Sequence, residues 1–100
     1  MNINEFQKMC EKIVGDLDKK YKIDRNPQLS FTQLMEEVGE LAKEINKPKL
    51  RNKEIDQENL NGEFADVLIQ LATLANMHNI NLDKAIESKI KIIKERHGLK

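Results

Sequence analysis

Glu37 and Glu40 stand three residues apart in the stretch MEEVGELAKE, and Glu63 and Asp66 stand three apart in EFADVLIQL. Residues three apart share one side of a helix, so each pair sets two carboxylates side by side. Each pair flanks an apolar stripe instead of lying opposite it: Leu34, Val38, Leu41 and Ile45 for the first, Leu60, Phe64, Val67, Leu71 and Leu74 for the second. If the two helices pack antiparallel, the pairs face each other. Like charges at that range are costly unless something neutralises them. A hard divalent cation does so, and Mg2+ prefers carboxylate oxygens, keeps several waters and is often completed by substrate phosphates. The structural alternative is a solvated boundary, because Glu forms helices well and charged helix flanks are common. Matching pairs on consecutive helices weaken that alternative more than either pair alone. Glu44 shares the flank of Glu37 and Glu40, as support or solvent-facing charge, while Glu36 points more toward water.

Cations supply the opposite chemistry. Lys89 falls within the stripe formed by Leu82, Ile86, Ile90 and Ile93, and Arg96 falls at nearly the same angle seven residues on. Two cations on a core-facing stripe reach a phosphate chain or the acidic cluster. The alternative is snorkelling, in which long stems cover apolar surface and the heads stay wet. His78 and His97 lack the spacing of a zinc site with each other or with Cys10, and Cys10 lies in an apolar stripe as a core residue.

The elements that must position these groups read as helices. Phe6, Met9, Cys10, Ile13, Val14 and Leu17 fall at helical spacing and predict a first helix from about Asn4, its cap, to Lys20. Asn26-Pro27 reads as a turn signal in a linker that also carries Arg25. A second helix runs from near Ser30 to near Lys47, where Pro48 stops it, and PKLRNKEID reads as a polar connection. A third runs from about Gln57, capped by Asp56, to His78. A fourth runs from Leu82, capped by Asn81, to His97, with Gly98 as its stop. The third helix has a second apolar side, Ala65, Ile69 and Ala72, continued by Asn76. A helix apolar on two sides is buried on two sides. The first helix and another subunit are the expected covers, which predicts a homodimer or homotetramer.

The bulk composition agrees with one small all-α domain spanning residues 1–100, a four-helix bundle without repeats. The formal net charge is zero and no half of the chain is strongly basic, which argues against a nucleic-acid polymer as partner. No apolar run spans a bilayer, and the N-terminus lacks the pattern of a signal peptide. The one cysteine forms no internal disulfide and suits a reducing compartment, so a cytoplasmic protein is expected.

EEVGELAKE followed by EFADVLIQLATLAN resembles the MazG-like nucleotide pyrophosphohydrolases of the all-α NTP pyrophosphatase superfamily, over about Ser30 to Arg96. The resemblance implies an Mg2+-dependent enzyme, with Mn2+ as a substitute, that cleaves a nucleoside triphosphate between the α and β phosphates. It implies that Glu37, Glu40, Glu63 and Asp66 hold metal, with Glu37 or Glu40 as general base and Glu36 in support. It implies substrate contacts from Lys89, Arg96 and Asn76, with Arg25 a weaker candidate for the polyphosphate. Ile92 and Ile93 stand where relatives carry Lys and Asn, which puts phosphate binding by this helix in doubt. Phe31, Phe64 and His78 are candidates for the base only by position. Two alternatives stay open: a non-catalytic helical interaction module on the same scaffold, and a related pyrophosphatase acting on dUTP, dCTP or phosphoribosyl-ATP.

Overall fold

Short polar residues set the starts of the long helices. In the computed structural model, which describes residues 1–100, α1 (Ile3–Tyr21) begins where the Asn2 side chain accepts the Glu5 N–H. The same device starts α2 (Pro27–Ile45) at Asn26, α4 (Gln57–Met77) at Asp56 and α5 (Leu82–His97) at Asn81. Each cap satisfies one of the N–H groups that a helix leaves unpaired at its N-terminus. Gly98 ends α5 at φ 63°, a left-handed conformation that glycine adopts without strain.

Three sequence expectations need correction. The helices number five, because α3 (Lys47–Arg51) forms inside the segment expected to be irregular. Pro48 does end α2, but its fixed φ and missing N–H suit the first turn of the next helix. The Asn26-Pro27 pair is likewise a cap and first helical residue, so α2 starts three residues earlier than Ser30. Asn2, not Asn4, caps α1.

α4 is the shared partner of α1 and α2. Ser30 near the start of α2 meets Met77 at the end of α4, and Glu44 near the end of α2 meets Asp56 at the start of α4. The two helices are therefore antiparallel. Leu34 is buried in this packing, while Ala72 and Ala75 are buried on α4 and Cys10 and Val14 on α1. Small side chains on α4 let neighbouring backbones come close. Burial also pushes the Cys10 thiol up, which keeps it unreactive.

Two polar knots hold the ends together. Gln7 of α1 is buried and donates to Asn76 Oδ1 at 3.0 Å and to the Ile80 carbonyl at 2.8 Å. Its own Oε1 accepts the Leu82 N–H at 2.8 Å, and Asn76 donates back to the Gln7 carbonyl at 2.9 Å. α1, the end of α4 and the start of α5 are thus tied by one amide. At the other knot, Arg25 forks onto Asp18 at 2.7 and 2.9 Å and reaches Ser30 and Gln33 at 3.0 and 2.6 Å. A forked, shielded pair of this kind is worth more than an exposed one.

Apolar stripes on all four long helices stay open to solvent. Phe31, Val38 and Ile45 form a line on α2, Phe64, Leu68 and Leu71 a patch on α4, and Met9, Ile13 and Leu17 a line on α1. On α5 no residue is buried, and Ile86, Ile90, Ile92 and Ile93 are each more than two-fifths exposed. The expectation of a core-facing stripe on that helix fails within one chain, because α5 docks through α1 and leaves its own apolar face uncovered. The accessible surface is 7872 Å². A compact chain of 11.6 kDa would expose about 5,800 Å². The radius of gyration is 16.4 Å, against about 13 Å for a compact chain of this length.

Gln7→Leu keeps the side chain's approximate size but strands the Leu82 N–H and the Asn76 amide. It is expected to lower stability by about 1–3 kcal/mol in chemical denaturation. Hydrogen exchange at Leu82 should accelerate; unchanged protection there would show that the amide does not anchor α5.

Candidate metal centre

Antiparallel packing of α2 against α4 decides where the acidic pairs go. Carboxylate oxygens of Glu37, Glu63 and Asp66 lie within 4.8 Å of one another. Glu37 and Glu63 are half-buried and Asp66 is exposed. Glu40 is outside this group of three; it lines an adjoining cavity together with Glu63. Burial raises the Glu37 carboxyl above the ordinary glutamate range, and the charges of Asp66, Glu63, Glu40 and Glu36 raise it further. Four acidic residues therefore act on one point, the Glu37 carboxylate.

The donor set fits a hard divalent cation. It offers carboxylate oxygens only, from two rigid helices, with an open side for water or a ligand. A second observation points the same way. Gln70 Oε1 is the one buried side-chain polar atom without a hydrogen-bond partner. Gln70 follows Asp66 by one helical turn on the side of α4 that carries the acidic pair. Such an orphaned oxygen, on the helix side shared with Glu63 and Asp66, is an acceptor that ordered water satisfies.

Glu44 has a different task, which its sequence position did not reveal. It is buried, it pairs with Lys47 at 2.6 Å and it accepts the Asp56 N–H at 3.0 Å. The Lys47 hydrogen bond, then those from Asp56 N–H and Asn59, hold its carboxyl below the ordinary range against the opposing effect of burial. Glu44 thereby fixes α3 to α2 and sets where α4 begins. The signal that could have found it is the i, i+3 spacing to Lys47 across the helix end.

The remaining candidates are dispersed. Asn76 spends its amide on Gln7, so its observed contacts are structural. Arg25 is likewise engaged by Asp18, Ser30 and Gln33, so its observed contacts are structural. Lys89 and Arg96 are exposed on α5, and neither enters any of the chain's three salt bridges. Phe31 and His78 line one cavity of about 390 Å³ with Leu74, while Phe64 stands apart from it.

Because the folded state depresses the Glu44 carboxyl, its contribution is present above the ordinary glutamate range and is lost as pH falls through the depressed value. Glu44→Gln is expected to lower the melting temperature at neutral pH and to flatten the acid limb of a stability–pH profile. An acid limb identical to wild type would assign that titration to other groups.

Comparison with known proteins places the chain in a family. The model of the MazG nucleotide pyrophosphohydrolase domain matches residues 25–98. The chain is 32% identical over 88 residues to an uncharacterized protein, YpjD, of Bacillus subtilis, covering 83% of this chain and 75% of that protein. It is 37% identical over 59 residues to protein S100-A13 of Mus musculus, covering 49% of this chain and 60% of that protein. No solved structure matches significantly. With the domain match spanning α2 to α5 and enclosing both acidic pairs, the chain belongs to the MazG nucleotide pyrophosphohydrolase domain family.

Proposed function

We infer that the protein hydrolyses nucleoside triphosphates between the α and β phosphates, releasing a nucleoside monophosphate and pyrophosphate, with the whole chain acting as one domain. The observation that supports this reading most is the convergence of Glu37, Glu63 and Asp66, from a family-matched helix pair, within 4.8 Å. Glu37, Glu40, Glu63 and Asp66 are the residues that would hold Mg2+, or Mn2+ in its place. When bound, such an ion supplies Lewis-acid stabilisation of phosphoryl oxygens and lowers the pKa of water.

The chain's own residues do the rest. A water attacks the α-phosphorus, the bridging bond to the β-phosphate breaks, and pyrophosphate leaves with the bridging oxygen. A carboxylate accepts the attacking water's proton. Glu37 or Glu40 is the proposed acceptor. Glu36 adds charge at the rim and orients water. Lys89, Arg96 and Asn76 remain proposed substrate contacts, Asn76 only where it can release Gln7.

The open apolar stripes support self-association. The exposed surface exceeds that of a compact chain by about 2,000 Å² per chain, and the resulting excess of about 4,000 Å² for two chains lies in the range that an obligate interface removes in total. A homodimer or homotetramer that covers the α5 isoleucines is part of this reading, and so is a cytoplasmic setting. No helix is long and apolar enough to cross a membrane.

A panel of ribo- and deoxynucleoside triphosphates, with dUTP, dCTP and phosphoribosyl-ATP included, tests the reaction. Metal-dependent release of pyrophosphate and monophosphate is expected, and Glu40→Gln or Asp66→Asn should cut it on the order of 100-fold or more with the fold intact. Retained turnover in both variants, or no turnover of any compound by wild type, would contradict the reading and favour an interaction module. The Glu37 shift gives a second check. The metal-free folded chain binds a proton there more tightly than the unfolded chain, so its stability falls as pH rises just above the ordinary glutamate range. Mg2+ should therefore raise the melting temperature more at about pH 7 than at about pH 4.5. For the assembly, light scattering should give a multiple of 11.6 kDa, and Ile90→Glu should reduce it; a monomer at all concentrations would leave the stripes without a cover.

A further inference from the structure

A cavity of about 160 Å³ opens beside the acidic group, between the last turns of α2, the short α3 and the start of α4. Glu40 and Glu63 are among its lining residues, and no apolar residue lines it. Lys43, Lys47 and Arg51 line the same cavity, together with Glu44 and Asn59. Lys47 is already held at 2.6 Å by the buried Glu44. Lys43 and Arg51 are different. Lys43 stands one turn beyond Glu40, yet neither it nor Arg51 enters any of the chain's salt bridges. Two unpaired cations thus share a polar cavity with two of the carboxylates assigned to metal.

We propose that this cavity seats the outer phosphates of the substrate, the pair that leaves as pyrophosphate, with Lys43 and Arg51 as their charge partners. The proposal rests on the reaction inferred above and assigns residues to its leaving group. A polyphosphate carries several negative charges, and cations of the chain in the same cavity add to the neutralisation that a bound metal would supply. Within one chain α5 docks through α1, and Lys89 and Arg96 lack the polar cavity that Lys43 and Arg51 share with the acidic pair. The α2–α3 corner supplies those cations. Glu44 makes it rigid, because it pins Lys47 on one side and the Asp56 N–H on the other. Arg51 is suited to a forked grip on phosphate oxygens and Lys43 to a point charge. Breaking the bridge to the α-phosphate leaves a further negative charge on the departing pyrophosphate, so the same two cations stabilise it as it forms.

Calorimetric titration of inorganic pyrophosphate in Mg2+ buffer tests this on the wild-type chain and on Lys43→Gln, Arg51→Gln and the double variant, with a nucleoside monophosphate titrated in parallel. Each substitution should weaken pyrophosphate binding by about tenfold or more, as loss of a charge-assisted contact does. Monophosphate affinity and melting temperature should stay near wild type, because both side chains are exposed. Lys43→Arg, which keeps the charge, should retain most of the affinity, and KM for the triphosphate should rise in the double variant. Unchanged pyrophosphate affinity in the double variant overturns the proposal, as does equal weakening for both ligands or no binding to wild type. Pyrophosphate binding that needs Lys43 and Arg51, in a chain that hydrolyses no triphosphate, would uphold the cavity as a pyrophosphate site and sink the hydrolytic reading separately.

Discussion

Mutual repulsion among carboxylates at the α2–α4 crossing is the constraint on which the rest of the structure turns. Glu37, Glu63 and Asp66 are drawn within 4.8 Å by helix packing, and Glu37 is partly withdrawn from water as well. No salt bridge reaches any of the three. A chain with so few buried apolar side chains has little stability to spare, so an uncompensated cluster of this kind is an expensive feature to keep. Its cost is understandable if a cation supplies the missing charge.

The scaffold around the cluster is organised to keep α2 and α4 in one register. Glu44 locks the C-terminal end of α2 to α3 and to the start of α4, while Arg25 and Ser30 lock its N-terminal end near Met77. A carboxylate group positioned on two helices is more precise than one on loops, provided that the helices cannot slide. The buried Gln7 amide extends the same logic to α1 and α5. Polar anchors thus take over part of the task that apolar burial performs in larger domains, and the apolar stripes are left facing outward.

Much of this was legible in the sequence, and the pattern of what was not is instructive. Helix starts at Asp56 and Asn81 follow directly from side-chain capping chemistry. The i, i+3 acidic pairs announce a shared flank because helical geometry alone puts them there. Pro48 and Pro27 misled, since one residue type both ends a helix and suits the first turn of another. Periodicity identified the isoleucines of α5 as an apolar face but could not say whether the covering surface lies in the same chain. Glu44 and Glu40 look alike in sequence, yet one is a buried anchor and the other is exposed. That difference depends on where Lys47 and Asp56 arrive, which only the fold of the α2–α3 corner decides.

If the acidic group at the α2–α4 crossing is a metal centre, it binds a divalent cation in the absence of any nucleotide. Mn2+ titration followed by electron paramagnetic resonance, with Mg2+ as competitor, measures this without reference to turnover. The account predicts saturable binding to the wild-type chain, displacement by Mg2+, and loss of binding in Glu37→Gln and Asp66→Asn. Binding that survives both substitutions, or no saturable binding to the wild type, would contradict it.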